Sequence, residues 1–160
     1  MIHDEVIEES ASPWNFPMIL VPKSDGSWRP CIDFRRLNAA TIPDRYPVPV
    51  LSDLLQSLGT ENKVFSNIDL AQGFWQIEME EKSKELTAFS TPDGHYQFKR
   101  MPFGLHSSPL TFSRLMNTVF AGILGKEMLC YLDDIIIMSP TVEDHFSSLK
   151  KYLKDCLMQV

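Results

Sequence analysis

The chain has 160 residues, 44% apolar and 22% charged, the composition of one globular domain, with or without a small subdomain, rather than of a disordered tail. Its apolar runs fall far short of the roughly 20 residues that span a bilayer, and the opening MIHDEVIEES lacks the cationic and apolar regions of a secretory leader, so neither membrane insertion nor secretion is expected. The net charge of −6 is not the basic footprint of a nucleic-acid binder, although four acids lie in the first ten residues and residues 23–45 hold five basic side chains against three acids.

Seven of the eleven prolines precede residue 50, which forbids long helices there and favours extended segments and turns. FPMILVPKSDGSWRPCIDF predicts a hairpin, with strands at Met18–Val21 and Trp28–Ile32, a Ser-Asp-Gly turn, and Lys23 and Arg29 at the tip. VLSDLLQSLG predicts a short amphipathic helix ended by Gly59. KVFSNIDLAQGFWQIEM predicts a strand over Val64–Asp69, a turn at Ala71–Gly73 and a second extended piece near Trp75–Met79. Leu86–Thr91, the turn PDG and His95–Phe98 form another expected hairpin. A helix should then start with Ser108 as N-cap and Pro109 in its first position, burying Phe112, Leu115, Met116, Val119 and Phe120. After the apolar stretch MLCYLDDIIIM, a last helix is expected, capped by Ser139 or Thr141, with the stripe Phe146, Leu149, Leu153, Cys156 and Leu157. Strands interrupted by helices without regular βαβ alternation imply an α+β fold, an antiparallel sheet with helices on one face.

Cys31, Cys130 and Cys156 lack CxxC spacing, against a disulfide framework or zinc cluster and for reduced, buried thiols. His3, His95, His106 and His145 lack HExxH spacing and read as surface or packing residues. The remaining chemistry sits in Asp133-Asp134. One reading makes the pair a two-residue hairpin turn, since Asp tolerates positive φ better than most residues. The other makes it a metal site, because Mg²⁺ prefers carboxylate oxygens and is usually held by one or two of them plus substrate phosphates. Asp69, closing an apolar strand before the small-residue turn LAQG, is the candidate second carboxylate, or else an ordinary strand-end residue.

Taken together, YLDD between apolar strands, IDLAQGFWQI, SWRPCIDFRRLN with RYPVP, and MPFGLHSSPLTFSRLMN resemble, in order and spacing, the reverse transcriptase of gypsy-type LTR retrotransposons, relatives of the retroviral enzymes. The resemblance covers nearly the whole chain. It implies a right-hand polymerase fold in which residues 1–43 and 77–107 are fingers and 44–76 and 108–160 are palm, with an antiparallel palm sheet backed by helices. The chain stops at Val160, before the family's primer grip, thumb, connection region and RNase H would begin.

The resemblance also implies an RNA-directed DNA polymerase core using two Mg²⁺, for which Mn²⁺ can substitute. Asp69, Asp133, Asp134 and the Leu70 backbone would hold the metals. Lys23, Arg29, the backbone of Gln72 and Gly73, Phe74 as the gate against a 2′-hydroxyl, and Phe103 would meet the incoming dNTP. Retroviral enzymes carry Gln at the Phe103 position, where Phe can only pack. Tyr131, Leu132 and Gly104 would lie at primer and template. The expected partners are an RNA or DNA template-primer, dNTP and the missing regions of a larger polyprotein, in a cytoplasmic setting or within virus-like particles. Two alternatives stay open: a non-catalytic remnant that only binds nucleic acid or a partner, and a palm-type enzyme acting on free nucleotides, which the fingers-like blocks disfavour.

Overall fold

The computed structural model describes residues 1–158, with side chains through Leu153. The secondary structure runs β1 (Ile7–Glu9), β2 (Met18–Pro22), β3 (Trp28–Ile32), α1 (Arg35–Ala40), α2 (Leu51–Gln56), β4 (Val64–Asp69), α3 (Glu81–Lys84), β5 (Phe89–Thr91), β6 (Gly94–Phe98), α4 (Ser108–Val119), β7 (Met128–Tyr131), β8 (Asp134–Ser139) and α5 (Val142–Met158). All strand pairs between these elements are antiparallel, as the α+β reading requires. The chain forms two compact units, Met1–Arg45 with Gln72–Pro109 and Tyr46–Ala71 with Leu110–Val160.

The first unit holds the sheet β1-β6-β5 and the separate hairpin β2-β3. Its core is Val6, Ile7, Phe16, Phe34, Phe89 and Phe98, in which Phe34 meets Phe16 edge-on at 5.4 Å between ring centroids. Each such ring contributes roughly 1.5–3 kcal/mol on burial, which lets three-residue strands hold a sheet. β1 and α1 arise from segments that carry no periodic apolar pattern. β1 forms because Ile7–Glu9 finds Tyr96–Phe98 as its partner, and α1 is short enough to fit between the prolines.

Three expectations are corrected in this unit. The extended piece at Trp75–Met79 is instead a 3₁₀ turn over Gly73–Gln76, followed by one isolated bridge between Glu78 and Arg100. The strand expected from Leu86 begins only at Phe89, because Glu81–Lys84 and Glu85–Thr87 coil into helical turns. Ser108 is not an N-cap: it is the first helical residue, buried, and its hydroxyl donates to the Pro102 carbonyl at 3.1 Å.

The second unit carries the sheet β4-β8-β7. β4 alternates half-buried Val64, Ser66 and Ile68 with exposed Phe65, Asn67 and Asp69, the period of a strand with one covered face. β8 supplies buried Ile135, Ile137 and Met138, and α5 packs on β8 and β4. Thr141 caps α5: its hydroxyl accepts the Asp144 amide at 3.2 Å and donates to the Asp144 carboxylate at 2.7 Å. The stripe expected on α5 is wrong in part. Phe146 and Leu153 are exposed, and the helix buries His145 and Tyr152 instead, with Leu149 between. The side chains of Cys156 and Leu157 lie outside the described residues. On α4, Phe112, Met116 and Phe120 are buried as expected while Leu115 faces outward.

Candidate active site

The hairpin β7-β8 closes with Tyr131 opposite Asp134, so its two turn residues are Leu132 and Asp133, one position earlier than the sequence suggests. Leu132 takes the positive φ, +56°, a conformation that costs a non-glycine residue roughly 1–2 kcal/mol. Asp134 is therefore the first strand residue of β8 and not a turn residue. Its partner across the other edge of β8 is Asp69, the last residue of β4. Directly opposite residues in an antiparallel pair lie about 4.5–5.5 Å apart along the ladder and share a face. The Leu70 amide donates to the Asp133 carbonyl at 3.2 Å, which ties the end of β4 to the turn.

Three acidic residues thus lie at one end of one sheet. Asp69 and Asp134 are exposed and Asp133 is half-buried. No salt bridge involves any of them among the described residues. Like charges placed opposite one another destabilise a sheet, so an arrangement without a compensating cation is suited to receive one. The donors are hard oxygens at strand ends, the chemistry that fits Mg²⁺. The described residues contain no group of three or more His, Cys, Asp or Glu side chains closed around a common point, which Mg²⁺ does not need, because it keeps water and substrate oxygens in its shell. Below the turn, the Cys130 thiol donates to the Leu132 carbonyl at 3.3 Å. Burial first, and then the negative charges of Asp133 and Asp134, push its pKa up to about 11.

The other predicted residues lie in the first unit. Lys23 and Arg29 are exposed on the β2-β3 hairpin, Arg29 opposite Val21, and neither forms a salt bridge among the described residues. The turn between them is held by Asp25, whose carboxylate accepts both the Ser27 amide and the Ser27 hydroxyl. Arg35, by contrast, is committed to Asp33 at 2.6 Å, and that hydrogen bond holds the Asp33 carboxyl down at about 2. Gln72 adopts φ +54° and leads into the 3₁₀ turn, whose first amides have no intrahelical acceptor. Gly73 is buried. Phe74 packs against Phe103 at a tilt of 41° with ring centroids 4.9 Å apart, and Trp75 meets the same ring edge-on at 6.1 Å. Phe103 remains half exposed.

Asn38, for which the sequence suggests no role, orders this loop. It lies within SWRPCIDFRRLN, donates to the Gly104 carbonyl at 2.8 Å and accepts the His106 amide at 3.0 Å. It fixes the turn in which Gly104 has φ +95°. A cavity of about 650 Å³ elsewhere in this unit is lined by Ile7, Met18, Pro30, Ile32, Phe89 and Phe98 among others, and by none of the predicted site residues.

The antiparallel three-stranded sheet β4-β8-β7 presents paired aspartates at one end. The family model for reverse transcriptase (RNA-dependent DNA polymerase) matches residues 21–160, and the chain belongs to that family. It is 49% identical over 155 residues to the retrovirus-related Pol polyprotein from transposon 297 of Drosophila melanogaster, covering 94% of this chain and 14% of that protein. To the Pol polyprotein from transposon gypsy of the same species it is 40% identical over 164 residues, covering 99% of this chain and 16% of the relative. The foamy viral protease-reverse transcriptase in complex with RNA/DNA hybrid has the same fold, with a TM-score of 0.87 at 29% identity over 98% of this chain and 21% of that one. The fold is thus that of reverse transcriptase fingers and palm, and the chain spans about a seventh of the polyproteins it matches. Enzymes of this family are in general divalent-metal dependent. No helix among the described residues is long and apolar enough to cross a membrane.

Proposed function

We propose that this chain is the core of an RNA-directed DNA polymerase that adds dNTP to a primer 3′-hydroxyl on an RNA or DNA template. The observation that carries the proposal is the registry of Asp69 with Asp134, with Asp133 in the adjoining turn, in a member of the reverse transcriptase family. Asp69, Asp133, Asp134 and the Leu70 carbonyl would hold two Mg²⁺, or Mn²⁺ in their place. Bound there, the ions would lower the pKa of the primer hydroxyl and stabilise charge on the leaving pyrophosphate.

The chain's own residues bind and orient the reactants. Lys23 and Arg29, on an exposed hairpin, neutralise the triphosphate, and the amides at Gln72 and Gly73 offer it hydrogen bonds. Phe74, braced against Phe103, presents a ring face on which a 2′-hydroxyl would be buried without a partner, a penalty that selects deoxynucleotides. Tyr131 and Leu132 abut the acids and sit at the primer terminus, and the Phe103-Gly104 loop faces the template. The first unit supplies the fingers and the second the palm, within a larger polyprotein in a cytoplasmic setting or a virus-like particle.

Primer extension on an RNA template tests this reading. Wild-type chain in Mg²⁺ or Mn²⁺ is expected to incorporate dNTP, and Asp69→Asn or Asp133→Asn to lower incorporation by about 100-fold or more, as loss of several kcal/mol of transition-state stabilisation requires. Incorporation that survives both substitutions overturns the site. Salt-dependent binding to template without incorporation in either metal would support the binding-only alternative.

A further inference from the structure

The β4–β8 seam sets the spacing of the acids, and its register has no turn to define it. β7 and β8 are joined by two residues, and in such hairpins the loop fixes which residues face one another. β4 and β8 are separated by residues 70–133, so no tight turn fixes their alignment, which rests on side-chain packing and on backbone bonds at the strand ends. On the covered face of β4 only Val64 and Ile68 are apolar, and the polar Ser66 lies between them. A slip of one residue would send Asp69 to the opposite face of the sheet.

His145, on the first turns of α5, lies across this seam and is 5% exposed. Its Nε2 is 2.7 Å from the Ser66 hydroxyl on β4, and its Nδ1 is 3.2 Å from the Ser139 hydroxyl on β8. Ser66 faces Ile137 in the ladder, so Ser139 is its diagonal neighbour on the same face. Asp69 and Asp134 project from the other face. A neutral imidazole has one N–H and one lone pair, and a hydroxyl can serve either, so both contacts are satisfied in either tautomer. The backbone that carries the ring is itself held, because the His145 amide donates to the Thr141 carbonyl at 3.1 Å and Thr141 caps the helix.

We propose that His145 is a positioning residue: by bridging Ser66 and Ser139 it pins β4 against β8 in the one register that sets Asp69 opposite Asp134. This rests on the reading of those carboxylates as a metal site, and the test keeps the two apart. The intact chain is titrated with Mn²⁺ alone, with binding read by water-proton relaxation and folding by circular dichroism. The key variant combines His145→Phe, Ser66→Ala and Ser139→Ala, which removes all three polar partners together and so leaves no buried group unpaired.

If the trio merely satisfies its own polar atoms, the folded triple variant binds Mn²⁺ as the wild type does, and the proposal is overturned. If it is a register pin, the triple variant folds but binds Mn²⁺ about tenfold more weakly, the size of effect seen when groups that orient metal ligands are lost. Ser66→Ala alone is read in parallel and carries the test if the triple variant does not fold: weaker Mn²⁺ binding supports the pin, and wild-type affinity overturns it. Wild-type binding that Asp69→Asn leaves unchanged overturns the metal reading itself, independently of how the His145 variants behave.

Discussion

Leu132 is a large side chain held at φ +56° beside two carboxylates, and Gln72 takes a similar φ of +54° just beyond Asp69. Strained backbone of this kind persists where surrounding contacts over-determine it, and it clusters at functional sites. Relieving it at the hairpin should separate stability from function. Leu132→Gly is expected to raise unfolding free energy by about 0.5–1 kcal/mol while slowing incorporation, measured by chemical denaturation and primer extension on the same preparation. A less stable variant would mean that the leucine side chain contributes more than its backbone costs. Cys130 offers a second residue-level check. Its folded pKa of about 11 exceeds the 9.0 of an unperturbed thiol, so the unfolded chain releases this proton first. Stability from this group is present below pH 9 and is lost as pH rises towards 11. Alkylation of Cys130 in the folded chain, followed by mass spectrometry, should be negligible at about pH 8 and reach its midpoint near 11; a midpoint at 9 or below contradicts the burial described. Turn propensity points to the acidic pair as the hairpin turn, because Asp is a better left-handed residue than Leu. Strand pairing outweighs that preference.

Among the elements, β4, the β2-β3 hairpin and α2 are legible in the sequence because alternation, turn residues and a terminal Gly are local signals. The faces of α4 and α5 are less so. Phe146 and Leu153 fit an apolar stripe at helical spacing as well as the buried residues do, yet α5 turns His145 and Tyr152 inward. The contacts are polar: the two ring nitrogens of His145 meet the Ser66 and Ser139 hydroxyls, while the Tyr152 hydroxyl donates to the Glu127 carboxylate. Asn38 carries no local signal of its role, since its partners are 66 and 68 residues away. Asn38→Asp should keep the acceptor for His106, lose the donor to Gly104 and lower stability by about 1 kcal/mol. Asn38→Leu should cost more than Asn38→Asp. Denaturant midpoints at constant m-value decide between this ordering and its reverse.

At the scale of the whole molecule, net charge opposes the nucleic-acid substrate proposed above. The first unit has nine basic and twelve acidic residues and the second six and nine, so each nets −3. Binding to the proposed template-primer must then rely on a few local cationic residues other than Lys23 and Arg29, which serve the triphosphate, rather than on a broad basic surface. The slope of log K against log salt should be shallow, about −2 to −3 for two or three neutralised phosphates. Fluorescence anisotropy at several salt concentrations measures it, and a slope near about −8 would show a far larger contact than these residues provide. The class of fold, the strands that carry the acids and the chemistry those acids suit can all be read from residue order, because alternation, turn chemistry and oxygen-donor preference are properties of short segments. Residue order does not reveal that Asp134, rather than Asp133, lies opposite Asp69, that Leu132 takes the strain, or that a histidine lies across the seam behind them. Each of these depends on the register between strands far apart in the chain, and register is set by packing that no local pattern encodes.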